Sequence, residues 1–203
     1  METSEHTRKT LSAAYQTLLP FEQTLVQLAS VIYEPVTRMT FANCLRRARI
    51  TGTRGEWLTT ATIGPYLQNL QGLGLLDKQL CCPDEFVELA SREAVALGSY
   101  TVMADAVQNE IPFSQYQGKW PQRCRRAMRE YRIGLYLQDM VHLENVQKLL
   151  EKQCADSIER NFPAVRVATN PFQEDSFRSL PPSLQFYVLD QVISYSMHYL
   201  IHV

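Results

Sequence analysis

Along most of this chain, apolar side chains recur at three- and four-residue intervals, the spacing of one face of an α-helix. Leu11, Ala14, Tyr15 and Leu18 form the first such set, after a polar stretch over 1–10 that predicts a frayed terminus, and Pro20 interrupts it. Leu25, Leu28, Ala29 and Ile32 predict a second helix that opens near that proline. It closes at Glu34-Pro35, because the residue before a proline is biased out of the α region. Thr40 is the expected N-cap of a third helix, with Phe41, Cys44, Leu45 and Ala48 facing inward. A fourth helix starts between Thr59 and Thr62, and the later start is favoured because it puts Pro65 in the first turn, where no N–H is missed. Ile63, Tyr66, Leu67, Leu70 and Leu73 are its inward set.

The stretch "LQNLQGLGLLDKQL", 67–80, follows the fourth helix past Gly72 and Gly74, where a left-handed residue costs glycine least, into period-2 character at Leu76 and Leu80. "CCPDE" then reads as a turn and "FVEL" as a returning strand, with Ser91 capping a helix that runs toward Glu110. In the alternative, Pro83 starts that helix directly and the hairpin is vestigial. Three helices, a glycine-terminated helix and an acidic-tipped hairpin resemble the winged-helix superfamily over about residues 20–90. That resemblance implies a helix-turn-helix core with a short β-hairpin as its wing.

Turn residues around Ile111-Pro112 and Gly118 mark a boundary. Beyond it, Cys124, Met128, Tyr131 and Leu135 predict one helix and Leu143, Val146, Leu150 and Cys154 another, joined as an αα-hairpin. Residues 162–180 read as an irregular connection with one short strand over 164–168. The last helix follows the prolines at 181 and 182 and is apolar around most of its circumference, which predicts burial on most sides. It runs to Val203 with no polar cap, the pattern expected where a longer parent chain continues. The expected architecture is mainly α: an extension helix over 1–19, a winged-helix-like domain over 20–110, and a helical domain over 119–203.

Net charge is -1, so any charge argument is local. Residues 38–54 carry five arginines (Arg38, Arg46, Arg47, Arg49, Arg54) and no acid, whereas 76–118 carry seven acids against two bases. Five cysteines without regular spacing argue against a disulfide framework and for a reducing, cytoplasmic setting, with Cys44, Cys124 and Cys154 packing as small hydrophobes. Asp190 in the middle of 184–203 argues against a membrane span there.

No glycine-rich phosphate loop, Gly-x-Ser-x-Gly or His-Glu-x-x-His occurs, so no enzyme chemistry, cofactor or metal is expected. His198 and His202 have a metal-compatible spacing but no Cys, Asp or Glu set to complete a site. The expected function is a non-catalytic binding module within a larger protein or assembly concerned with nucleic acid. Two arginine groups are the candidates for holding phosphate or an acidic partner: Arg46, Arg47, Arg49 and Arg54 near the third helix, and Arg125, Arg129 and Arg132, which with Tyr136 form one stripe along a later helix. A rival reading is a stand-alone homodimeric regulator that reads duplex DNA through Gln68, Asn69 and Gln71. A third is a protein-interaction adapter, which suits the acidic wing. In the favoured reading other protein domains dock on the last helix.

Overall fold

A computed structural model describes residues 2–53, 55–113, 120–154 and 163–201. Arg54, Gly118, Lys119 and His202, and the side chains of Trp120 and His198, lie outside what is described. Among the described residues there are eleven helices: α1 (Glu2–Gln16), α2 (Pro20–Ile32), α3 (Arg38–Arg47), α4 (Thr60–Gly72), α5 (Val87–Ala96), α6 (Tyr100–Glu110), α7 (Trp120–Leu137), α8 (Met140–Gln153), α9 (Pro163–Thr169), α10 (Glu174–Arg178) and α11 (Pro182–Ile201). The chain divides into two compact units, Met1–Phe113 and Ser114–Val203.

The first unit is organised around α2. Pro20 opens it at a position where its missing N–H costs nothing, and Tyr33 closes it in the left-handed region at φ 57°. Between them Leu25, Val26, Leu28, Ala29, Val31 and Ile32 are all buried. A helix enclosed on this many sides must satisfy its polar side chains internally. Gln27 Nε2 donates to the Tyr15 hydroxyl at 2.8 Å, and Ser91 Oγ donates to Ser30 Oγ at 2.9 Å, tying α2 to α1 and α5. Helices α4, α5 and α6 pack directly on α2, and α3 packs on α4 and α6.

The winged-helix expectation fails at the wing. Among the described residues no strands pair into a sheet, and the β-type contact present is an isolated bridge between Thr169 and Phe172. Residues 73–86 form a turn-rich arc instead. Leu75, Leu76 and Leu80 are all buried, so the apparent alternation at Leu76 and Leu80 does not hold. The Asp77 carboxylate accepts from the Gln79 and Cys81 amides at 2.7 and 2.8 Å, and the Asp77 amide donates to the Cys81 carbonyl. An aspartate that closes its own turn leaves no strand edge to pair. Helix α5 then follows Pro83 after one turn, and Gly98, at φ 72°, separates it from α6 where one continuous helix was expected.

Other boundaries also shift. Helix α1 starts at Glu2, where a frayed terminus was expected. The N-cap of α3 is Thr37, whose hydroxyl accepts from the Thr40 amide, so Thr40 is inside the first turn. The N-cap of α4 is Thr59, not Thr62. The two threonines cap each other reciprocally, and Pro65 falls inside the helix. In the second unit, α9 occupies the place where a short strand was expected.

The second unit is organised around α7. Every residue from Ala127 to Leu135 is buried, with α8 and α9 packed against it. Gly134 allows the closest approach: a Cβ there would stand 3.1 Å from Leu143 Cγ and 3.3 Å from His142 Cδ2. Asp139 caps α8 by accepting from the His142 amide. At the open end of this αα-hairpin, Cys124 and Cys154 form a disulfide across a Cα–Cα distance of 5.7 Å. This corrects the reading of both as free hydrophobes, and it removes the cysteine argument for a reducing compartment. Helix α11 packs mainly on α9, and a partly buried chain of hydrogen bonds ties it to α7 and α8: Tyr131 bonds Tyr187, and Tyr187 donates to Gln147. Burial pushes both tyrosines up, Tyr187 to about 12. No described helix is long and apolar enough to cross a membrane.

Candidate functional site

The two arginine groups have opposite fates. Helix α3 ends at Arg47, with Ala48 as its C-cap. Arg49 then turns the chain through the left-handed region at φ 57°, while the Ile50 amide reaches back to the Leu45 carbonyl. That reverse turn throws Arg46, Arg47 and Arg49 to the surface, and all three are exposed. Arg47 Nε pairs with Glu110 of α6 at 2.7 Å, and the same carboxylate accepts from Asn43 Nδ2 at 2.7 Å. Arg47 and Asn43 together hold Glu110 below the usual carboxylate range, with Arg46 adding to this at longer range. Arg46 itself donates to Asn43 Oδ1 at 3.0 Å.

Arg38 lies at the opposite end of the same helix, and in the sequence it adds only to the charge of 38–54. It is exposed at the start of α3, with one guanidinium nitrogen 3.9 Å from where a Cβ of Gly64 on α4 would lie. Among the described residues Arg38, Arg46 and Arg49 make no ion pair, so α3 and the turn after it present three cations, one at the start of the helix and two at its end, besides the one neutralised by Glu110.

The α7 group is different. Arg125 is exposed, but Arg129 and Arg132 are 0% and 1% exposed, so the three do not form a surface stripe. Arg129 donates through Nε and Nη2 to one oxygen of Glu130, at 3.0 and 2.7 Å. The other Glu130 oxygen faces His142 Nε2 of α8 at 3.4 Å, and that carboxylate holds the histidine above its usual pKa. Arg132 lies over the Tyr136 ring, 5.9 Å from its centroid. These groups fasten a hairpin from inside.

The base-reading candidates on α4 are largely occupied. Asn69 Nδ2 donates to Glu22 Oε1 at 2.8 Å, and Gln71 Nε2 donates to the Asp77 carbonyl at 2.9 Å. Glu22 is itself engaged at the start of α2, where its other oxygen accepts from the Leu19 amide. Gln68 stands exposed on the same helix.

Among the described residues no three His, Cys, Asp or Glu side chains gather as a metal site. No protein family, curated protein or solved structure matches the chain.

Proposed function

We propose that this chain is a non-catalytic binding module whose first unit holds nucleic-acid phosphates along the α3 edge, through Arg38, Arg46 and Arg49. The observation that carries the reading is the exposure of three cations that make no ion pair among the described residues, on a segment without a single acid. Phosphate contacts of this kind set affinity and register but carry no sequence information. Asn69 and Gln71 would have to give up existing hydrogen bonds to read base edges, so backbone contact is favoured over base readout.

The test is binding of a labelled DNA duplex across a salt series. For each phosphate that the protein no longer neutralises, the salt slope falls by roughly 0.9. The Arg38→Ala/Arg46→Ala/Arg49→Ala variant is expected to bind more weakly at low salt and to flatten that slope, while Arg125→Ala leaves both nearly unchanged. Absence of binding at low salt sinks the proposal. The adapter reading retains one specific observation in its favour, an exposed apolar face on α11.

A further inference from the structure

That face has a definite shape. Leu184 and Val188 are buried on the inner side of α11, whereas Phe186, Leu189, Ile193 and Met197 on the outer side are 75%, 45%, 57% and 57% exposed. Their spacing of three, four and four residues makes one stripe roughly 16 Å long at 1.5 Å per residue. Spacing near 3.5 residues suits the seam between two helices.

The surroundings narrow the occupant. From 182 to 197 the one charged side chain is Asp190. A helix that lies on a membrane surface places Lys and Arg beside its apolar stripe, and none is present here. An acidic partner would find no cation here, and a basic one a single carboxylate, Asp190. The matching surface is a helix with the same spacing and almost no charge, and α11 of a second copy is one.

We infer that two copies of this chain pair through α11, antiparallel, about a two-fold axis at Ile193. In this arrangement Ile193 meets its own symmetry mate and Leu189 meets Met197, while Asp190 lies at the margin of the seam. Antiparallel pairing also sets the two helix dipoles head to tail, which parallel pairing does not. The four exposed side chains offer on the order of 400 Å² of apolar area per copy. With a homodimer interface about 65% apolar, the total buried is about 1,200 Å², the lower end for a specific contact. The pair is therefore a reversible dimer. The proposal is independent of the phosphate-binding reading, because it rests on α11 alone.

Sedimentation velocity of the full chain, from about 1 to about 200 µM, tests it across the range where a weak dimer forms. The wild-type mass is expected to rise from one copy toward two, and Ile193→Asp to remain a single copy throughout with its helical circular dichroism unchanged. A short bismaleimide then tests the geometry, with the wild-type chain as the background for its own thiols. Ile193→Cys is expected to cross-link. Phe186→Cys is not, because the two copies of position 186 lie roughly 21 Å apart along the seam. A wild-type chain that stays monomeric overturns the proposal. So does dimerisation of Ile193→Asp at the wild-type concentration, or cross-linking of Phe186→Cys as efficient as that of Ile193→Cys.

Discussion

Helices α7 and α11 belong to the same unit, and their compositions predict the reverse of their environments. Helix α7 carries five arginines and a glutamate, yet it is enclosed from Ala127 to Leu135. Helix α11 is apolar around most of its circumference, yet among its described side chains only Leu184 and Val188 are buried. The difference teaches that burial follows position in the packing, and that the side chains then have to be reconciled with it. Helix α7 lies between α8 and α9, so its charges must find partners inside, and Glu130 answers Arg129 from the adjacent position in sequence. Helix α11 has α9 along one side, and the outer stripe is left over.

The hairpin that encloses α7 should be the most sensitive part of that comparison. The Cys124–Cys154 bond spans 30 residues, and closing a loop of that length in the unfolded chain is worth about 3–4 kcal/mol. The Cys124→Ala/Cys154→Ala variant should lose that much in urea unfolding, and reductant should then have no further effect on it. An unchanged midpoint would mean that the cross-link does not hold the hairpin closed.

Next is the charge pair. Glu130→Gln keeps the shape but removes the negative charge that receives two Arg129 hydrogen bonds and faces His142, which costs about 2 kcal/mol. The same measurement reads it, and a loss below about 1 kcal/mol would show that Glu130 is not what compensates α7.

A smaller effect comes from His142. Its pKa is raised by the Glu130 carboxylate against the opposing effect of burial, and by Asp139. A raised folded-state pKa contributes stability that is fully present below the unfolded value near 6.5 and is lost as pH rises through the folded one. The urea midpoint should therefore fall from about pH 6 to about pH 8.5 more steeply in the wild type than in His142→Gln, given the ordinary histidine range. Parallel profiles would remove His142 from the hairpin's fastening.

The smallest effect is expected on α11. Phe186→Ser removes a large apolar side chain that is 75% exposed, and a dilute sample should change in stability by no more than about 0.5 kcal/mol. A destabilisation of about 2 kcal/mol would mean that the outer stripe is packed within a single copy, which would end the contrast with α7.

Legibility along the chain follows from how local each decision is. The inward set of α2 is plain at Leu25, Leu28, Ala29 and Ile32, because helix periodicity and Pro20 agree on it. The start of α4 is ambiguous in sequence because Thr59 and Thr62 each satisfy a capping role, and the fold uses both in one reciprocal box. The stretch over 73–86 mimics a wing because leucines at 75, 76 and 80 all turn inward around an aspartate that closes its own loop, which a two-residue period cannot reveal. In the candidate site, the acid-free run over 38–54 marks the α3 edge. The tie between Arg47 and Glu110 joins residues 63 positions apart and is invisible in sequence.

The sequence alone determined that this is a mainly helical protein, since turn-length apolar periodicity and well-placed prolines are local properties that survive any packing. It also determined where positive charge is concentrated. Tertiary structure decided which of those arginines reach water. Arg46 and Arg49 sit where α3 ends and the chain reverses at a surface, while Arg129 and Arg132 sit mid-helix between two neighbours. A charged side chain carries its cost wherever it goes, but only the packing fixes whether solvent or a buried carboxylate offsets it.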